Sequence, residues 1–145
     1  NQADLSESDF LQPVAEDPHT RVITLYLEGV QNGAQFVEKA RQAARLKPLV
    51  ALKVGRFEAG RRAAASHTGA LAGAEAAFDA AFARAGVLRA NTTEEMFQWA
   101  RALAWCPLPK GRNVAVLTNA GGPGVTAADA LEQAGLTLAQ LAPHT

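Results

Sequence analysis

The chain has 145 residues, 48% of them hydrophobic, and 14 basic side chains balance 14 acidic ones. That length suits one ordinary domain with part of a second, and it buries a core without disulfides or a structural metal. The even charge provides no global field for nucleic acid or an anionic membrane, and a single cysteine, Cys106, excludes an internal disulfide and a multi-cysteine metal site.

In chain order, Ser6 or Ser8 caps a helix over Glu7–Ala15, and the apolar run Val22–Leu27 reads as a strand. A helical pattern over Gly33–Leu46 leads to a second apolar strand, Leu49–Val54. An alanine-rich helix over Gly73–Ala85 is stopped by Gly86, and a weaker strand, Val87–Arg89, follows. Thr92 with Glu95 has capping-box spacing for a helix over Thr93–Ala104. Cys106–Gly111, with two prolines and a glycine, is the best linker. After it come a strand over Val114–Thr118, a glycine loop, and a helix over Val125–Ala134 that Gly135 ends.

Short strands that are apolar on both faces and alternate with helices predict an α/β fold with a parallel sheet flanked by helices. Residues 1–105 are expected to form most of one domain, 106–111 a linker, and 112–145 the first β-α-β unit of another. The start, Asn1-Gln2-Ala3-Asp4, reads as the interior of a longer protein. No apolar run approaches the roughly 18 residues of a membrane span and no signal peptide leads the sequence, so a cytoplasmic location is expected.

Three places can carry chemistry. His67 stands between Ser66 and Thr68, with Gly69 next, where a loop carrying Arg56, Arg61 and Arg62 gives way to a helix. Backbone N–H groups at a helix start lack intrahelical acceptors and carry partial positive charge, which suits an anion. His67 is therefore an ordinary first-turn residue, the neighbour of a bound phosphate, or the nitrogen that accepts a phosphoryl group. Glu28 follows the strand Val22–Leu27, at the carboxyl edge where α/β sheets place active groups. It is either a turn glutamate before Gly29 or a carboxylate that holds one ring nitrogen of His67 and leaves the other free to attack. Third, Asn119, Gly121, Gly122 and Gly124 follow the strand Val114–Thr118 and precede a helix, the layout that cradles phosphates. They lack the Lys-Ser/Thr of a P-loop and the spacing of the dinucleotide fingerprint. No cysteine or histidine cluster makes a metal site, and no G-x-S-x-G elbow is present.

Several motifs together carry a resemblance: Tyr26-Leu27-Glu28-Gly29, Lys53-Val54-Gly55-Arg56, Ala65-Ser66-His67-Thr68-Gly69-Ala70-Leu71-Ala72-Gly73 and Thr118-Asn119-Ala120-Gly121-Gly122-Pro123-Gly124. The chain resembles the NDP-forming acyl-CoA synthetases, that is, the ADP-forming acetate–CoA ligases related to succinyl-CoA synthetase. The Ser-His-Thr-Gly block is the specific part. The resemblance implies a flavodoxin-like, succinyl-CoA-ligase-like domain over 1–105, lacking its first strand, and the start of a similar subdomain from 112. It implies that His67 is the phosphohistidine of a reversible relay and that Glu28 orients it. Ser66, Thr68, Gly69 and the Asn119–Gly124 glycines would contact phosphate. In that picture a CoA-binding Rossmann domain and an ATP-grasp domain or subunit hold CoA and ADP or ATP with Mg2+. This fragment would hold none of them and would be inactive alone. The implied partners are acyl-CoA or an organic acid and phosphate, within an oligomer, with no nucleic acid or membrane.

Two rival readings stay open at this point. A catalytically silent copy of the same region serves as a ligand-sensing part of some protein acetyltransferases; retention of His67 and Glu28 argues for the relay instead. The other is a flavodoxin-like binding module without phosphate chemistry, whose crevice would bind no anion.

Overall fold

The structure, a computed structural model, describes residues 4–57 and 75–142. The chain divides into two units, Asn1–Cys106 and Pro107–Thr145.

The first unit contains helix α1 (Glu7–Glu16), strand β1 (Ile23–Leu27), helix α2 (Gly33–Ala44), strand β2 (Leu49–Lys53), helix α3 (Glu75–Ala85), strand β3 (Leu88–Ala90) and helix α4 (Thr93–Trp105). The strands form a parallel sheet in the order β1-β2-β3, with Ile23 opposite Leu49 and Val50 opposite Leu88. The α/β class expected from the sequence is the class observed.

Every residue of β2 is buried, as a central strand covered on both faces requires. Its side chains alternate. Leu49 and Ala51 join Leu11 and Ala15 of α1, Phe36, Ala40 and Ala43 of α2, and Phe82 and Ala85 of α3. Val50 and Leu52 face the other way, toward Ala90 of β3 and Met96, Trp99 and Leu103 of α4. Period-two alternation thus puts three helices on one face and one on the other. On the larger face the Phe36 and Phe82 rings meet edge to face, with centroids 6.0 Å apart and planes at 63°. Such a pair contributes about 0.5–1.5 kcal/mol beyond its buried area.

Local chemistry sets the helix ends. Before α1, the Asp9 carboxylate accepts from both the Ser6 backbone N–H and the Ser6 hydroxyl, each at 2.8 Å. Thr92 caps α4 by accepting from the Glu95 N–H at 3.1 Å, while the Glu95 carboxylate accepts from the Asn91 N–H at 2.7 Å. Helix α3 stops at Gly86, whose φ is +72°. There the Val87 N–H returns to the Phe82 carbonyl at 2.9 Å, the six-to-one bond of a glycine-ended helix.

The second unit contains strand β4 (Asn113–Val114), helix α5 (Gly121–Gln133) and strand β5 (Thr137–Leu138), with β4 and β5 parallel. Two expectations need correction. The strand expected over Val114–Thr118 pairs only through Asn113–Val114, because β5 offers two residues to pair with; Val116 is half-buried and Leu117 is fully exposed. The glycine run expected as a loop before Val125 is instead the first turn of α5, so Gly121, Gly122 and Gly124 are helical. Pro123 permits this, because a proline in the first turn lacks only an N–H that would have had no intrahelical acceptor.

Candidate functional site

All strands of the first sheet run parallel, so the segments that leave their carboxyl ends emerge at one edge. Glu28 is the first residue after β1 and is half-buried. The Val54 N–H donates to the Leu27 carbonyl at 3.0 Å, and Leu27 is the register partner of Lys53. Glu28 therefore follows β1 level with the end of β2. That is the carboxyl-edge position expected from the sequence.

Lys53 closes β2 and is 1% exposed. Its ammonium donates to the Val54 carbonyl and lies 4.9 Å from the centre of the Phe78 ring. Burial pushes its pKa below the ordinary lysine value; the Glu75 charge opposes this, Arg89 adds to it, and Glu28 opposes it. Desolvation wins because the charged form loses more water than the nearby carboxylates repay.

Next to Lys53, Arg89 of β3 reaches two carboxylates one turn apart on α3, Glu75 and Asp79. Its side chain is 12% exposed and lies 5.9 Å from the centre of the Phe82 ring. Burial works against the Arg89 charge, but the hydrogen bonds and charges of Glu75 and Asp79 raise its pKa. Glu75 also accepts from Arg56 Nε at 3.1 Å, and Arg56 Nη1 donates to Asn91 Oδ1 at 2.9 Å. Burial alone would raise the Glu75 pKa, yet Arg89 and Arg56 together hold it below the ordinary glutamate value. A network of opposite charges thus joins the loop after β2, strand β3, helix α3 and the turn before α4.

His67, Ser66, Thr68, Gly69, Arg61 and Arg62 lie outside the described residues. Of the remaining expected site residues, Glu28 belongs to the first unit and Asn119, Gly121, Gly122 and Gly124 to the second. In the second unit Thr118 Oγ1 accepts from the Ala120 N–H at 3.1 Å, and Ala120 caps α5 without a side-chain hydrogen bond. A Cβ built on Gly121 or Gly122 meets nothing within 4 Å, whereas one on Gly124 comes within 3.1 Å of Thr118 Cγ2. Thr118 therefore crowds a side chain at Gly124, while Gly121 and Gly122 have open space.

Sequence reasoning missed Lys53, Glu75, Asp79 and Arg89. A signal existed for one of them: Lys53 is the single charge in an otherwise apolar run, on the same side of the strand as Leu49 and Ala51. The others depend on where α3 lies against β3, which no spacing reveals. Among the described residues no group of histidine, cysteine and carboxylate side chains is arranged to hold a metal ion, and no helix is long and apolar enough to cross a membrane.

Comparison with known proteins agrees with this architecture. The sequence pattern of the family described as Succinyl-CoA ligase like flavodoxin domain matches residues 1–103. The chain is 49% identical over 138 residues to acetate–CoA ligase (ADP-forming) I subunit alpha of Pyrococcus furiosus, which covers 95% of this chain and 30% of that protein. It is 37% identical over 143 residues to 4-hydroxybutyrate–CoA ligase (ADP-forming) of Nitrosopumilus maritimus, covering 97% of this chain and 20% of that one. Among solved structures, the dinucleotide forming acetyl-coenzyme A synthetase 1 of Ca. Korarchaeum cryptofilum, in complex with phosphate and ADP, superposes with a TM-score of 0.85 at 41% identity, over 95% of this chain and 30% of that one. Its apo form gives a TM-score of 0.87 at 40% identity, over 98% and 31%. The chain thus spans less than a third of these relatives.

Proposed function

Because the chain belongs to the family of succinyl-CoA-ligase-like flavodoxin domains, we propose that it is the phosphohistidine relay module of a larger NDP-forming acyl-CoA synthetase. The observation that carries this reading is the position of Glu28, half-buried directly after β1 at the carboxyl edge of the sheet, in a chain whose relatives are ADP-forming CoA ligases. On this reading residues 1–105 are the phosphohistidine domain, 106–111 a linker, and 112–145 the beginning of a second similar subdomain.

Inorganic phosphate attacks the acyl-CoA carbonyl, the CoA thiolate leaves and takes up a proton, and an acyl phosphate results. A ring nitrogen of His67 then attacks phosphorus, and the carboxylate of the free acid departs with the P–O bonding pair. Finally the phosphoryl group passes from His67 to the terminal oxygen of ADP. Glu28 accepts a hydrogen bond from the other ring nitrogen, which fixes the tautomer and steadies the positive charge that develops on the ring. Positioning and charge stabilisation dominate phosphoryl transfer, and a relay histidine lets two separate sites share one phosphate. Ser66, Thr68 and Gly69 would contact phosphate, as would the backbone N–H groups of Asn119, Gly121 and Gly122, whereas the Gly124 N–H is spent on the Ala120 carbonyl at 3.3 Å. Each helix terminus contributes about 0.3–1 kcal/mol when exposed and up to about 2 kcal/mol when partly buried.

CoA, and ADP or ATP with Mg2+, are held by a CoA-binding Rossmann domain and an ATP-grasp domain or subunit of the full protein. That protein is an oligomer of the cytoplasm. The deciding experiment incubates the full-length protein with acetyl phosphate or γ-labelled ATP and assays acid-labile, base-stable label. His67→Asn abolishes the label with the fold intact; label retained on that variant sinks the relay.

A further inference from the structure

Arg56 stands in the loop that leaves β2, and Glu75 is the first residue of α3. Residues 58–74, His67 among them, connect the two. Arg56 Nε donates to Glu75 Oε2 at 3.1 Å, and its Nη1 donates to Asn91 Oδ1 at 2.9 Å in the turn after β3. The residues on either side of the segment that carries His67 are therefore bonded to each other. Arg89 of β3 reaches the same Glu75 carboxylate, so that joint is fastened to the sheet.

Stability gives little reason for the Arg56 arm of this network. The Arg56 and Glu75 side chains are 31% and 29% exposed, and ion pairs open to solvent to that extent add little. Arg89 already ties α3 to β3 through Glu75 and Asp79. What Arg56 adds is geometry: a bond between residues 19 apart in sequence, which removes the conformations in which the two flanks separate. Group transfer is sensitive to such placement, because a displacement of about 1 Å costs about a hundredfold in rate.

We propose that Arg56 and Glu75 are positioning residues of the relay, their ion pair fixing the base from which the segment carrying His67 presents its imidazole to the phosphoryl group. This rests on the relay reading above. Neither side chain exchanges an atom with the substrate, and Arg56 acts through Glu75.

The test follows transfer of label from acetyl phosphate to the full-length protein. Arg56→Gln keeps hydrogen-bond donors and removes the charge. The maximal labelling rate is expected to fall about tenfold or more. The half-saturating acetyl phosphate concentration stays the same, and the melting temperature stays within about 2 °C of the unmodified value. Arg56→Lys keeps a cation for Glu75 and recovers most of the rate. In a Glu75→Gln background, Arg56→Gln slows labelling by no more than about a further twofold, because the charge pair is already broken. Further slowing there as large as in the unmodified background, or a raised half-saturating concentration, makes Arg56 a direct phosphate contact and overturns the proposal. A melting temperature that falls in step with the rate makes the pair structural and overturns it too. Labelling of R56Q at the unmodified rate does the same and leaves the relay standing. Absence of acid-labile label from the unmodified protein overturns the relay itself.

Discussion

Arg56 Nε donates to Glu75 Oε2 at 3.1 Å, joining the loop after β2 to the first turn of α3 on either side of residues 58–74. The same Glu75 carboxylate receives Arg89 from β3. One half-buried acid thus ties together the residues that flank the segment carrying His67, and it sits where the strands end.

Glu75→Gln is expected to destabilise the first unit by about 1–2 kcal/mol, because Arg89 keeps Asp79 while the charge-assisted bonds of Glu75 to Arg89 and Arg56 are weakened. The pH dependence has a definite sign. The folded-state pKa of Glu75 lies below the ordinary value of 4.5. Its contribution is therefore complete above that value and is lost as pH falls through the lowered folded-state pKa. Denaturant unfolding of the chain between neutral and acid pH should show this loss, and the glutamine variant should show a shallower acid slope. Equal slopes would remove Glu75 from the account of acid stability.

Glu28→Gln keeps the side-chain shape and weakens the acceptor. Labelling of His67 in the full-length protein is expected to slow by about a hundredfold, the lower range for a group that assists proton positioning. An unchanged rate would reduce Glu28 to a turn residue before Gly29.

Gly122→Ala separates fold from ligand contact in the second unit. The position is helical, has no positive φ and has open space around a Cβ. Alanine should leave the unit as stable or add about 0.5–1 kcal/mol through helix propensity. If Gly122 receives phosphate oxygens, the same variant slows transfer in the full-length protein. Normal transfer by a stabilised variant would take this glycine out of the phosphate site.

Gly86→Ala tests the backbone alone. A Cβ there meets Ala44 Cβ at an ordinary 3.7 Å, so no clash arises, but φ is +72°. The expected cost is about 1–2 kcal/mol from the left-handed conformation, read as a lowered melting temperature. A melting temperature that does not move would mean that the turn after α3 relaxes freely.

The sequence by itself determined the order and kind of the elements. Apolar runs such as Leu49–Leu52 read directly as buried parallel strands, and Ser6, Thr92, Gly86 and Gly135 marked helix ends because capping is local chemistry of neighbouring residues. It also singled out Glu28, since a carboxylate directly after a buried strand must stand at the sheet edge. Where the outcome depended on a distant partner, the sequence was silent or overreached. The strand from Val114 shortened to what β5 could pair with, and the glycine run wound into α5. Only the tertiary structure decided that Arg89 and Arg56 converge on Glu75, and that Lys53 ends β2 buried and without a carboxylate partner among the described residues. The physical reason is range. Caps and strand periodicity act over a few residues, whereas desolvation and ion pairing depend on what other elements bring to the same place.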